Sequence, residues 1–150
     1  MEVRVNLDRD AEHDYTIETF NPSLHKQQWL DLNNLIFSHH PDQGNWVMQD
    51  LDNRMAEPWF DAQGFFLATE NSDIEGFVWT KIHQDLINQD PVGELYVVGT
   101  HPDHAGKGIA RALSVEAINY LANKGLKHAI LYVDADNEKG LKLYGSLGFN

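Results

Sequence analysis

The stretch Glu94-Leu95-Tyr96-Val97-Val98-Gly99-Thr100-His101-Pro102-Asp103-His104-Ala105-Gly106-Lys107-Gly108-Ile109-Ala110 decides how this chain is read. It passes from an apolar strand pattern through a proline turn to two glycines two residues apart, then into the start of an amphipathic pattern. A strand that delivers a glycine-rich turn to a helix N-terminus builds an anion pocket. The glycines let consecutive N–H groups converge, and the helix dipole favours negative charge there. Glu94, just upstream on the same strand, supplies a candidate base. Phosphate holder and carboxylate thus lie on one short piece of chain.

Downstream, Ile109, Leu113, Ala117 and Leu121 recur four apart and predict a helix with one buried face, closed by Lys124-Gly125. Ala129 to Val133 reads as a buried strand, and Asn137 to about Leu147 as a short helix ended by Gly148. Upstream, Tyr15 to Phe20 predicts a strand. The turn Asn21-Pro22-Ser23 starts a helix to about Phe37, followed by a loop over His39 to Asn45 and a helix from Trp46 to Met55. Phe65 to Thr69 and Ile74 to His83 predict a hairpin, and Gln84 to Val92 a polar loop. The order β-α-α-β-β-β-α-β-α predicts an α/β domain of three layers, α/β/α, around a mixed, mostly antiparallel sheet.

With 150 residues the chain predicts one domain over 15–150, with 1–14 a weakly ordered N-terminal extension. An apolar fraction of 42% and four tryptophans fit a globular protein. The absence of cysteine excludes a disulfide framework, a thiol nucleophile and thiolate metal ligands. A net charge of −12 argues against nucleic acid and anionic membranes as partners, so a phosphate must be held locally, by backbone N–H groups, Lys107 and Arg111. No apolar stretch approaches the roughly 20 residues of a membrane span, and Met1 to Asp10 lack a signal-peptide core, so a cytoplasmic location is expected. His39-His40 and His101-x-x-His104 lack a full ligand set, and no metal is expected.

Ala105-Gly106-Lys107-Gly108-Ile109-Ala110 resembles the first signature of the GNAT superfamily of N-acetyltransferases, Arg/Gln-x-x-Gly-x-Gly/Ala. The segment from Asn137 through Lys139 and Gly140 to Tyr144, followed by Gly148-Phe149, resembles its second. The resemblance implies acetyl-CoA as acetyl donor. It implies cofactor contacts from Val98, Gly99 and Thr100, from Ala105 to Arg111, and from Asn137 with Lys139 and Gly140 on its helix. It also implies Glu94 as base, backbone N–H near Val98 as oxyanion donor and Tyr144 as acid. Ala105 departs from the family pattern, since it removes the side chain that reaches the pyrophosphate and leaves the backbone donors. The competing structural readings are a plain glycine turn, a solvated carboxylate at Glu94 and a half-buried aromatic at Tyr144.

His40-Pro41-Asp42-Gln43-Gly44-Asn45-Trp46, Glu57-Pro58-Trp59-Phe60-Asp61, Trp79-Thr80-Lys81-Ile82-His83 and Gly93 to Gly99 resemble, more narrowly, the C-terminal acetyltransferase half of the mycothiol synthase family. That implies a small-molecule amine as acceptor, the cysteinyl amine of a cysteine–glucosamine–inositol conjugate, with Asp42, Lys81, Glu94 and Tyr132 as substrate contacts. An acetyltransferase for a peptide N-terminus or polyamine, and a silent acetyl-CoA-binding regulatory domain, stand beside that expectation. Sequence ends at Asn150, where the family resemblance leads us to expect one more strand. We expect that sheet position to be left unpaired or filled by a partner, a second acetyltransferase domain or a homodimer mate.

Overall fold

The hairpin of β4 (Asp73–Ile87) and β5 (Asp90–Thr100) is the spine of the protein. The computed structural model describes residues 2–4, 15–40, 42–87 and 90–149. The other elements are β1 (Glu2–Arg4), β2 (Thr16–Thr19), α1 (Pro22–Ile36), α2 (Met48–Met55), β3 (Phe65–Glu70), α3 (Ile109–Asn123), β6 (His128–Leu131) and α4 (Glu138–Ser146). Among the described residues six strands make one sheet, ordered β1-β6-β5-β4-β3-β2. Only the β5–β6 pair runs parallel there, because α3 carries the chain from one to the other over a face of the sheet.

Period-two alternation sorts the strand residues into two cores. Val78 faces α3 and packs with Leu113, Ala117, Ile118 and Leu121, to which Leu147 and Phe149 add the end of the α4 segment. Phe77 and Trp79 face the other way, onto α1 and α2 through Trp29 and Leu51. Trp29 meets Trp46, Phe65, Phe77 and Trp79 edge-on, at centroid distances of 5.2 to 5.9 Å. The three-layer α/β/α expectation holds, with α1 and α2 on one face and α3 and α4 on the other.

Helix ends follow their local chemistry. Asn21 caps α1 by accepting from the Ser23 backbone N–H at 2.9 Å, with Pro22 in the first turn. Gly125 closes α3 with φ of 85°, which lets the Leu126 N–H reach back to the Leu121 carbonyl. Both ends lie where the sequence places them.

Three expectations need correction. The segment expected as a polar loop over Gln84 to Val92 is strand over its described residues, since β4 and β5 continue pairing out to Leu86 with Pro91 and Ile87 with Asp90. A two-stranded ribbon satisfies its backbone within itself, so a polar composition does not exclude it. The strand expected over Ala129 to Val133 stops at Leu131, releasing Tyr132 and Val133 from the sheet. Within the segment 1–14, residues 2–4 form β1 and pair antiparallel with β6, Glu2 opposite Ile130 and Arg4 opposite His128. The edge of β6, expected to stay bare or take a partner's strand, is thus covered by this chain, because its unpaired N–H and C=O groups accept any extended segment within reach. Residues 1 and 5–14 of that extension lie outside the described residues.

Two adjacent asparagines on α1 fix the loop that leads to α2. Asn33, fully buried, donates to the Gln43 carbonyl and accepts from the Gln43 side chain. Asn34 donates to the Trp46 carbonyl at 2.7 Å and accepts from its N–H at 3.0 Å. Gly44 lies so close that an added Cβ would stand 2.0 Å from the Phe37 carbonyl oxygen. Asn34→Ala is expected to cost about 1–3 kcal/mol by leaving the Trp46 backbone groups without partners, read as a lowered Tm.

Candidate active site

A cleft opens where two neighbouring strands stop pairing. β5 and β6 are in register only from Val92 opposite His128 to Leu95 opposite Leu131. Beyond that point a cavity of about 540 Å³ lies between them, with Leu95 and Leu131 at its base. Tyr96 and Val98 from β5, Tyr132 after β6, and Asn137 and Tyr144 from the α4 segment all contribute to its wall. A bulge helps to shape it, because Trp79 pairs with Val97 and Thr80 with Leu95, leaving Tyr96 as the extra residue of β5.

The glycine loop follows β5. The turn Pro102–His104 leads to Ala105, and Gly106 and Gly108 take φ values of 79° and 84° that disfavour any side chain. Gly108 is the N-cap of α3 and supplies no side-chain cap, and the first turn of α3 holds no acidic residue. The leading N–H groups of α3 are therefore open to an anion. A Cβ built on either glycine would meet nothing within 4 Å, so backbone and a large ligand can approach closely there. These features fit a pyrophosphate. His104 anchors the loop: its Nδ1 lies 3.0 Å from the Tyr15 hydroxyl and its Nε2 3.0 Å from Glu75 on β4. That arrangement, with His101 accepting from the Asp103 N–H, gives both histidines of the His-x-x-His pair structural work.

Gly108→Ala is expected to raise KM for acetyl-CoA about tenfold and to lower stability by about 1–2 kcal/mol, the strain of a left-handed L-residue. Steady-state kinetics and thermal melting read the two effects separately.

The expected cofactor residues do not all converge. Val98, Asn137 and Tyr144 share the cleft wall. Gly99 and Thr100 continue β5 opposite Phe77 and Gly76. Ala105, Gly106 and Lys107 are exposed on the loop, Ile109 is buried under it, and Ala110 is half-buried. Arg111 points elsewhere, donating from Nη1 to the Ser146 hydroxyl at 2.8 Å, so it ties α3 to α4. Asn137 caps α4 by accepting from the Gly140 N–H at 3.0 Å, and Lys139 is exposed beside it.

Glu94 lies just below the cleft floor, where β5 and β6 still pair, and is only 6% exposed. Its Oε1 is 2.6 Å from His83 Nε2 on β4. Lys81 stands directly opposite Glu94 on β4, and its ammonium lies 4.7 Å from the Trp59 ring centre and 5.4 Å from that of Tyr96. Tyr144, edge-on to Phe149, is pushed up to about 12 by burial, so its hydroxyl keeps its proton in neutral solution. Tyr132 is 82% exposed at the cleft mouth.

Asp42 belongs to a second cavity of about 700 Å³, shared with Trp46, Arg54 and Glu57. Arg54 Nη1 donates to the Tyr96 hydroxyl, so Tyr96 links this cavity to the cleft. Burial raises the Tyr96 phenol above its ordinary range; Arg54 works against that, and Glu94 and Glu57 add to it. Tyr96, Arg54 and His83 stand beside the expected site residues without having been singled out in the sequence, whereas Trp59 was expected either to line a substrate pocket or to pack in the core. The signal was there for Tyr96 and His83, which stand two residues from Glu94 and Lys81 respectively, on the same faces of their strands.

The profile of the acetyltransferase (GNAT) family matches residues 13–149. Over 134 residues the chain is 46% identical to a mycothiol acetyltransferase of Streptomyces bingchenggensis (strain BCW-1), covering 89% of this chain and 42% of that protein. The chain thus spans under half the length of the curated relatives it matches. Its fold is similar to that of the ribosomal-protein-S18-alanine N-acetyltransferase from Escherichia coli, with TM-score 0.71 and 24% identity over 91% of this chain and 77% of that one. It is also similar to an aminoglycoside N-acetyltransferase in complex with CoA, with TM-score 0.73 and 22% identity over 93% and 90% of the two chains. A strand splayed at a bulge, a glycine loop opening a helix and a profile match over nearly the whole length lead to one conclusion: the chain belongs to the acetyltransferase (GNAT) family.

Proposed function

We propose that this domain transfers acetyl from acetyl-CoA to the primary amine of a small molecule, with the cysteinyl amine of a cysteine–glucosamine–inositol conjugate as acceptor. The observation that carries the reading is the junction of β5 and β6, where Val98, Asn137 and Tyr144 line one cleft and Glu94, still paired with Ile130, directly precedes the lining residue Leu95. The relatives named mycothiol acetyltransferase, 46% identical over 134 residues in the first case, support the choice of acceptor.

Acetyl-CoA supplies an activated thioester; the protein holds it and moves protons. Backbone N–H groups of the glycine loop and the first turn of α3 hold the pyrophosphate. Glu94 takes a proton from the acceptor ammonium, directly or through a water, because only the neutral amine is nucleophilic. Backbone N–H near Val98 donates to the carbonyl oxygen that gains charge during attack. Tyr144, protonated at neutral pH, gives its proton to the departing thiolate. Asp42 and Lys81 orient the acceptor from the side of α1 and α2, and Tyr132 from the cleft mouth.

Turnover can be followed as loss of the acetyl-CoA thioester, a signal that the free thiol of the cysteinyl acceptor does not carry. Fastest turnover with the cysteine–glucosamine–inositol conjugate, against peptide N-termini and polyamines, is the expected result. A higher kcat/KM for one of those amines would replace the acceptor. Acetyl-CoA binding without CoA release on any amine would instead mark a silent binding domain.

A further inference from the structure

Glu94 is nearly fully buried, so its carboxylate needs a polar partner in place of water. Lys81, directly across the strands, has its ammonium over the Trp59 and Tyr96 rings. The polar group against the carboxylate is His83, a diagonal neighbour on β4, whose Nε2 lies 2.6 Å from Oε1. Its side chain is 25% exposed where that of Glu94 is 7% exposed, so the imidazole is the wetter half of the pair.

We propose that His83 is the positioning residue for Glu94. Its Nε2–H donates to Oε1, which fixes the carboxylate plane and leaves Oε2 as the proton acceptor. The inference rests on the reading of Glu94 as base and extends it to a second strand. Other charges around the pair come from each packed element. Lys81 is on β4, Tyr96 on β5, and Arg54 of α2 with Glu57 just after it stand beyond Tyr96. On the β6 side the register partner of Glu94 is the apolar Ile130, while Asp90 and His128 pair with each other at 3.6 Å.

The test is the pH profile of kcat/KM, measured with acetyl-CoA and the cysteine–glucosamine–inositol conjugate. His83→Ala is expected to move the acid limb to higher pH by about one unit, because the ionised carboxylate loses its donor while remaining buried. Its rate falls about tenfold on the acid side of the limb and recovers above it. His83→Gln keeps an N–H donor and should hold the limb near its original position. An unmoved limb in His83→Ala, whatever its rate, overturns the proposal. If the alanine variant does not fold, His83→Leu against His83→Gln carries the same comparison of no donor with donor. Glu94→Gln separates the two levels. If it retains activity, the reading of Glu94 fails. If it collapses while the His83 variants keep the original limb, only the pairing fails.

Discussion

Glu94→Gln is expected to lower kcat about 100- to 10,000-fold and to leave KM for acetyl-CoA unchanged. The amide has the shape of the carboxylate, and its oxygen can still accept from His83, so the 2.6 Å contact and the pairing with Lys81 and Ile130 survive. What disappears is the carboxylate proposed to take the proton from the acceptor ammonium. The glycine loop lies at the other end of β5, so the hold on acetyl-CoA is untouched. The residual rate should rise with pH about tenfold per unit until the amine is neutral in solution, since solvent must then do the deprotonation. A drop of less than about threefold would remove Glu94 from the mechanism.

The contrast between what was legible and what was not follows the range of the interactions. Gly106 and Gly108 are readable because a positive φ is a local demand that other residues resist. Asn137 is readable because capping reaches three residues along the chain, to Gly140. Partnerships between strands are a different matter. The pairing of His83 with Glu94 depends on the register of β4 against β5, and a bulge at Tyr96 resets that register midway. A one-residue slip would turn either side chain to the opposite face, and nothing in the local pattern reports it. Arg111 shows the same limit. Its place after the glycines makes it an expected phosphate ligand, but its contact with Ser146, made by the packing of α3 on α4, is not readable from the local sequence.

The ribbon of β4 and β5 adds a second lesson. Composition separates buried from solvated backbone well, which is why the cores around Trp29 and Leu113 were foreseeable. It separates a solvated hairpin from a solvated loop poorly, because both are polar and both satisfy their backbone without a core. Gln84 to Val92 fell on that ambiguity, as did β1, a three-residue strand whose partner lies more than 120 residues away.

Tyr144→Phe is expected to lower kcat about 100-fold with little change in either KM. The ring keeps its edge contact with Phe149 and its place in the cleft wall, so the loss isolates the hydroxyl. A phenol that burial pushes up to about 12 stays protonated at neutral pH and is thereby available as the donor to the departing thiolate. The same shift predicts a stability signature. Because the folded value lies above the unfolded one of 10.0, the contribution is full below pH 10 and is lost as pH rises toward 12, where the unfolded chain releases its proton first. The phenylalanine variant lacks that loss, so the two proteins should melt alike at neutral pH and the variant should melt higher above pH 10. Finding the stability signature without the loss of kcat would leave Tyr144 buried as described but assign the leaving-group proton to water.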